Sequence, residues 1–183
     1  MIRSTLRLSM AVGLALILLA PAEATGQAET TPAPRPEDVA SVDAIVAATY
    51  DVISGPAGQE RDWDRFRSLF IPGARLIPSG KRPDGTSVHQ VLTVEDFVTR
   101  AGQSFVQSGF FEREIGRIQE QYGNIVHLMS AYDSKRSASD ATPFARGINS
   151  FQLLNDGKRW WVVTIFWQGE TPDTPIPSRF LNK

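Results

Sequence analysis

The sequence has 183 residues, and 19 lysine and arginine side chains stand against 20 aspartate and glutamate side chains, so the net charge is −1 at neutral pH. This balance gives no reason to expect a nucleic acid or an anionic membrane surface as a partner. The absence of cysteine excludes disulfides, thiolate catalysis and cysteine-ligated metals. The length is typical of one domain with an adequate core.

The first 24 residues have the pattern of a signal peptide. Arg3 and Arg7 supply a positive start, residues 8–20 form an uncharged apolar stretch, and Ala22 and Ala24 frame a small-x-small cleavage site. The apolar stretch is shorter than the roughly 20 residues of a membrane-spanning helix. The sequence therefore predicts a protein that is exported to the periplasm or secreted after cleavage near Ala24, with no membrane contact afterwards.

The remaining chain divides into a linker and a domain. Residues 25–36 are rich in threonine, alanine and proline, a composition that cannot bury apolar area. We therefore predict a disordered linker over 25–36 and a single domain over 37–183.

Three amphipathic helices are predicted in the first half of this domain. The first covers 36–54, with proline at its first position and acidic residues after it. The second begins at Asp62 as N-cap, and the third begins at Thr93, where Asp96 stands in capping-box spacing. A short strand over 74–78 separates the second helix from the third.

The second half of the domain is predicted to be a β-meander, because long apolar and polar alternations replace the helical period. The turn at Asp156-Gly157 favours a tight hairpin. Helices followed by such strands predict an α+β fold in which N-terminal helices pack in a curved antiparallel sheet. The predicted strands cover 110–122, 125–133, 144–154 and 159–168.

The last strand is apolar on both faces, whereas a sheet with one wet face alternates apolar and polar residues. Something must therefore cover the second face. A second copy of the chain, giving a homodimer through the outer sheet face, is the simplest cover, and the alternative is that residues 170–183 fold over it. Strict alternation puts Trp161, Val163, Ile165 and Trp167 on one face and Trp160, Val162, Thr164 and Phe166 on the other.

Five segments of the chain form a pattern through their order and spacing: Tyr50-Asp51, Asp62 to Leu76, Phe110 to Ile115, Gly123 to His127 and Trp160 to Val163. Taken together, these segments resemble the NTF2-like (SnoaL-like) superfamily. The resemblance implies a cone with a largely apolar pocket between helices and sheet. It implies no particular activity, because this fold hosts isomerases, dehydratases, cyclases, binding modules and assembly domains.

The pocket that the resemblance implies has candidate lining residues on helices and strands. Each has a simpler explanation, because aromatic side chains fill cores and charged strand residues commonly form solvated rungs of a sheet. The candidates are the aromatic residues Trp63, Phe66, Phe70 and Trp167 and the polar residues Glu112, Arg146 and Asn149.

Two enzyme types within the superfamily can be compared with the sequence. Ketosteroid-isomerase-like members place a carboxylate base at the position that Pro78 occupies here, and proline cannot abstract a proton. Scytalone-dehydratase-like members have a pair similar to Tyr50-Asp51, and a dehydration needs a base and an acid. We therefore consider His127 as a base oriented by Asp51 or Tyr50. The alternative is a histidine satisfied at the sheet face and a solvated Asp51.

No cofactor or metal is indicated. His89 and His127 are the only histidines, and no metal-ligand spacing, phosphate loop or nucleophile motif accompanies them. The leading hypothesis is an exported domain that binds a small, mostly apolar molecule. The alternatives are a lyase or isomerase that uses His127 with Asp51 or Tyr50, and a structural dimerisation module.

Overall fold

The computed structural model describes residues 31–181, so the predicted signal peptide and residues 25–30 of the predicted linker lie outside the described residues. Within that range, no helix is long and apolar enough to cross a bilayer. Residues 31–35 form no helix or strand, and Arg35 pairs with Asp62 at the surface at 2.9 Å. The elements are α1 (Val42–Ile53), α2 (Trp63–Ser68), β1 (Phe70–Lys81), β2 (Ser87–His89), α3 (Val94–Ser108), β3 (Phe111–Tyr122), β4 (Ile125–Lys135), β5 (Ala145–Asn155) and β6 (Trp160–Gly169), with 3₁₀-helices at Pro36–Val39 and Ser178–Phe180.

The strands form one curved, unclosed sheet in the order β2-β1-β6-β5-β4-β3. Helix α1 packs against β3 and β6, and α3 packs against β1. We call the sheet face that carries α1 the inner face and the opposite one the outer face. The predicted α+β class is confirmed, and one detail of it is wrong: β1 runs parallel to β6, while the other pairs are antiparallel.

The single first helix predicted over 36–54 is two helices. A 3₁₀-helix covers Pro36–Val39, and α1 begins after Ser41, whose backbone is extended with φ −148° and ψ 169°. The Ser41 hydroxyl oxygen accepts a hydrogen bond from the Ala44 backbone N–H at 3.0 Å. Serine caps a helix in this way and competes with helical backbone bonding, so the chain restarts its helix there.

The other two helix starts are as predicted. The Asp62 side chain accepts a bond from the Arg65 backbone N–H, and Thr93 and Asp96 form a reciprocal capping box. Strand β1 is longer than the strand predicted over 74–78: it extends from Phe70 to Lys81 and includes Pro72. The pairing of β1 with β6 is irregular between Phe70 and Arg75, and a proline is tolerated at such an interruption because no ladder donor is needed there.

The strict alternation that the sequence predicted for β6 is wrong, because the strand contains a β-bulge. Gln152 pairs with Thr164 and Leu153 pairs with Val162, so Val163 has no partner of its own on β5. An extra residue reverses the side-chain phase of everything after it. The large side chains that reach the core from both halves of the strand are Trp160, Val162, Ile165 and Trp167.

The C-terminal segment covers part of the outer face. The helix Ser178–Phe180 packs on β3 and β4, Phe180 is buried, and a Cβ on Gly116 would lie 2.7 Å from the Leu181 Cα. Phe166 of β6 remains 46% exposed. The segment thus covers the β3–β4 part of the outer face, and the predicted dimer concerns the remaining part.

Candidate functional site

A cavity of about 380 Å³ lies between the inner face of the sheet, α1 and α3. This volume is within the range of small-molecule sites, and the walls are mainly apolar, as in such sites. The apolar side chains that line it are Ile53, Phe66, Leu76, Pro78, Leu92, Phe97, Ala101, Phe105, Phe110, Phe151, Ile165 and Trp167.

Helix α3 forms one wall of this cavity through a single stripe. Its cavity-lining residues recur at three- and four-residue steps, which is the period of one helix face. Phe97 stacks on Phe66 with ring centroids 5.3 Å apart, and Phe105 stacks on Phe110 at 4.2 Å. No residue of α3 is fully buried, so the helix covers the cavity without entering the core.

Glu112 supplies a carboxyl group to the cavity from the start of β3. Its Oε2 accepts a hydrogen bond from Ser134 Oγ at 2.7 Å, and its Oε1 accepts one from Asn149 Nδ2 at 3.3 Å. Burial raises the pKa of Glu112 to about 7, although both hydrogen bonds favour the charged form. Glu112 is half-buried, and its carboxyl group lines the cavity. A group that titrates near neutral pH therefore faces any molecule bound there.

A hydrogen-bond chain links Glu112 to α1 and onward across the sheet. Asn149 Nδ2 donates to the Tyr50 hydroxyl at 3.1 Å, which lies 2.7 Å from Ser130 Oγ. Ser130 donates to Glu114 Oε1 at 2.7 Å. Since a hydroxyl has one proton, Tyr50 must donate to Ser130. Burial, and then the negative charge of Glu112, raise the pKa of Tyr50, so Tyr50 stays protonated and the chain keeps this direction.

Tyr132 provides a second polar group, from the inner face of β4. It is buried and lines the cavity, and its hydroxyl makes no hydrogen bond within residues 31–181. Burial, and then the charge of Glu112, raise its pKa, so the group retains its proton. The ring lies over Gly147, where a Cβ would be 2.5 Å from the Tyr132 oxygen. We call Glu112, Asn149, Tyr50 and Tyr132 the polar end of the cavity.

A second cleft, of about 520 Å³, lies beside α1 and β3 and shares Tyr50 and Glu112 with the cavity. Two ion pairs lie in its wall: Arg113 contacts Asp133 at 2.9 Å, and Arg117 contacts Glu114 at 2.8 Å. The wall of the cleft is therefore more strongly charged than the wall of the cavity.

Four of the predicted pocket residues line the cavity: Phe66, Glu112, Asn149 and Trp167. The other three are elsewhere, and those predictions are wrong. Trp63 stands behind Phe66 with ring centroids 5.6 Å apart, and Phe70 is 2% exposed within the core. Arg146 belongs to the outer-face phase of β5 and pairs with Glu170 at 3.2 Å.

The predicted acid–base set of His127 with Asp51 or Tyr50 is not assembled. His127 is exposed on the outer face, where its Nε2 lies 3.0 Å from Ser150 Oγ. Asp51 is exposed and accepts a bond from Arg65 at 2.6 Å. The physical reason is alternation: the neighbours of His127 in the strand point into the core, so His127 points away from Tyr50.

The sequence predicted the apolar side of α3 as buried, but it assigned neither that side nor Tyr132 to the pocket. Val126, Leu128 and Tyr132 are separated by even numbers of residues in β4, so they lie on the same face of the strand. The two apolar residues therefore indicate that Tyr132 also faces the interior. Pro78, at the position of the base in ketosteroid-isomerase-like members, lines the cavity and brings no ionisable group. Within the part of the chain that the structure describes, no group of three or more His, Cys, Asp or Glu side chains could hold a metal ion.

Comparison with known proteins shows the fold alone. No family model matches the chain, and no curated protein matches it. A protein of unknown function with a cystatin-like fold from Nostoc punctiforme is similar, with 9% identity, 69% of this chain and 86% of that chain covered, and a TM-score of 0.51. The yeast UBP3-associated protein BRE5 is similar with 12% identity, 70% and 93% coverage, and a TM-score of 0.50.

An NTF2-like protein of unknown function from Silicibacter pomeroyi is also similar, with 14% identity, 72% and 94% coverage, and a TM-score of 0.48. The predicted cone-shaped α+β fold is confirmed by the similarity to the cystatin-like structure from Nostoc punctiforme. At these identities nothing about activity follows, so function must be argued from the cavity.

Proposed function

On this NTF2-like fold, we propose that the cavity binds a small, mainly apolar molecule that presents an oxygen or nitrogen atom to the polar end. The observation that carries this proposal is a cavity of about 380 Å³ with apolar walls and a titratable carboxyl, Glu112, at one place. Apolar walls favour an apolar ligand through burial of its surface, and a few placed polar groups fix its orientation.

The free hydroxyl of Tyr132 supports a ligand with a hydrogen-bond acceptor. The other polar groups of the polar end already bond to one another, whereas Tyr132 has a proton to donate. Within residues 31–181 no buried side-chain oxygen or nitrogen lacks a hydrogen-bond partner, so the Tyr132 oxygen remains accessible from the cavity, and a ligand acceptor there replaces solvent as its partner. A purely structural role predicts an interior filled by side chains, and the cavity is the observation against that alternative.

The proposal is tested by thermal shift with a library of small apolar compounds. We expect compounds that raise the melting temperature of the wild type, since a ligand that binds the folded state stabilises it. Ala101→Phe narrows the cavity from α3 and abolishes the shift, while Thr99→Phe, on the exposed side of the same helix, keeps it. The absence of any stabilising compound, or shifts unchanged in A101F, contradicts the proposal.

A second candidate is proton-transfer chemistry, of the isomerase type, with Glu112 instead of His127 as the base. The observation that favours it is a carboxyl with a pKa of about 7 that faces the cavity. Such a group removes a proton from a bound molecule and returns it to another atom of that molecule. Tyr132 would hold a ligand oxygen meanwhile.

This candidate is tested with the compounds that the thermal-shift screen selects. Exchange of their carbon-bound hydrogens in D₂O is followed by NMR with wild type, Glu112→Gln and Glu120→Gln. Glu120 is an exposed residue of the same strand. Exchange that E112Q loses and E120Q keeps supports the proposal, and exchange equal to that without protein rules it out.

Export and dimerisation are also proposals, supported by the signal-peptide pattern of residues 1–24 and by the exposed apolar residues of the outer face. Expression of the full chain in a bacterial host tests export. A periplasmic product whose N-terminus is Thr25 is expected, and a cytoplasmic product that retains Met1 contradicts the proposal.

A further inference from the structure

The cavity opens to solvent at one part of its lining. Most lining residues are buried or half-buried, but Gln90, Arg100 and Ser104 are exposed. Exposed residues in a cavity wall mark its opening, and we call these three residues the mouth. The Gln90 backbone N–H donates to the Pro78 oxygen on β1, whereas Asn149 of the polar end lies on β5, with Trp167 of β6 between Pro78 and Asn149 in the sheet. The mouth and the polar end are therefore at different parts of the cavity.

Arg100 is an exposed cation whose charge acts on Asp96, one turn earlier, without a salt bridge between the two. Its guanidinium donates to Gln90 Oε1 at 2.5 Å, and it takes part in no ion pair within residues 31–181. Asp96, one turn earlier on α3, is held by Thr93 in the capping box. A guanidinium has five N–H donors in a planar fork that matches a carboxylate. Most of this binding capacity is unused.

The two ends of the cavity therefore differ in charge. Glu112 carries a negative charge above neutral pH, so an anion at the polar end meets repulsion from it. At the mouth, an anion meets a partly solvated guanidinium that forms charge-assisted hydrogen bonds. Between the two ends the walls are apolar. This arrangement determines both the charge and the orientation of a ligand.

We infer that the cavity binds a mainly apolar organic acid, whose carboxylate lies on Arg100 at the mouth and whose apolar body extends along the walls, so that one further oxygen or nitrogen atom reaches the polar end. The inference rests on the proposed function, since it names the ligand class of the same cavity. Arg100 selects the anion, and Gln90 holds the guanidinium in place across the mouth.

The test uses two fluorescent probes with the same ring system. One is 1-anilinonaphthalene-8-sulfonate, whose sulfonate stands in for a carboxylate, and the other is the neutral N-phenyl-1-naphthylamine. We expect the wild type to bind the anionic probe at one site per chain, with an affinity that falls as salt is added. Arg100→Gln lowers the affinity for the anionic probe at least tenfold and leaves the affinity for the neutral probe within twofold of the wild-type value. Arg100→Lys has an intermediate effect.

Two control variants separate the inference from the proposal on which it rests. Arg82→Gln removes an exposed charge from the turn after β1 and leaves both affinities unchanged. Ala101→Phe narrows the cavity and lowers the affinity for both probes. If A101F affects neither probe, the cavity is not their site and the proposed function fails. If A101F weakens both probes while R100Q lowers neither affinity, the cavity binds apolar molecules and the inference about the anion is overturned.

Discussion

The Tyr50 hydroxyl on α1 lies 2.7 Å from Ser130 Oγ on β4, and Asn149 Nδ2 on β5 donates to the same hydroxyl at 3.1 Å. One oxygen thus joins the first long helix to two strands that follow it by about 80 and 100 positions in the chain. The contact lies at the polar end of the cavity, so it holds in place the groups that face a ligand.

Replacement of this hydroxyl is expected to destabilise the fold. Tyr50→Phe leaves an Asn149 hydrogen without its acceptor and Ser130 without a donor, in a buried place. Loss of one partner of a buried hydrogen bond lowers the free energy of unfolding by about 1–3 kcal/mol. Urea denaturation measures the change. Tyr122→Phe, at a side chain 85% exposed, is the matched control and stays within about 0.5 kcal/mol of the wild type. Equal stability of all three proteins contradicts the proposed hydrogen-bond network.

Glu112 is expected to make stability depend on pH. Its pKa in the folded protein is raised from 4.5 to about 7, so the folded state binds the proton more tightly than the unfolded state. The stabilisation by this group is complete below the unfolded pKa and is lost as the pH rises through the folded pKa. Between pH 5 and pH 8, the unfolding free energy of the wild type falls relative to Glu112→Gln by roughly 2 kcal/mol.

The measurement is urea denaturation at pH 5, 6, 7 and 8 for the wild type, Glu112→Gln and Glu120→Gln. The E120Q protein keeps the pH dependence of the wild type, because Glu120 is exposed. Parallel pH profiles for the wild type and E112Q would mean that the Glu112 carboxyl titrates as it does in the unfolded chain.

Gly147 is expected to be required for the position of Tyr132. A Cβ at this glycine would lie 2.5 Å from the Tyr132 oxygen and would also meet the Gln168 backbone oxygen. Gly147→Ala therefore moves the ring or the strand and lowers the free energy of unfolding by about 1–3 kcal/mol. Gly80→Ala in β1 is the control, since a Cβ there has no atom within 4 Å. Denaturation curves that coincide for the two variants would show that Tyr132 is not constrained by Gly147.

The outer face is expected to form a dimer contact where the C-terminal segment leaves it uncovered. Phe166 is 46% exposed on that face, and a charge at its position opposes burial between two copies. Sedimentation equilibrium at micromolar concentration is expected to show a dimer for the wild type and a monomer for Phe166→Glu. Val91→Glu, at another exposed apolar residue, leaves the dimer intact. A monomeric wild type excludes this contact.

Much of the local structure could be read from the sequence. The N-caps at Asp62 and Thr93 and the tight turn at Asp156-Gly157 are at their predicted places. Each depends on contacts between residues at most four positions apart, and the residues themselves supply those contacts. The apolar patterns also identified β3 to β6, because the period of a strand is a property of its own residues, whereas the prediction over 74–78 covered less than half of β1.

The site required the tertiary structure. His127 and Tyr132 belong to one strand, and which of them faces α1 depends on the side from which the helix packs. The bulge at Val163 reverses the side-chain phase in the second half of β6. As a result Phe166 is exposed on the outer face, while Trp167 is half-buried on the inner face. The pKa of Glu112 depends on burial by distant elements together with bonds from Ser134 and Asn149. The sequence by itself determined the elements, since short-range bonds form within them. Only the folded chain decided which side chains share a cavity, because burial and charge act between residues that are far apart in the chain.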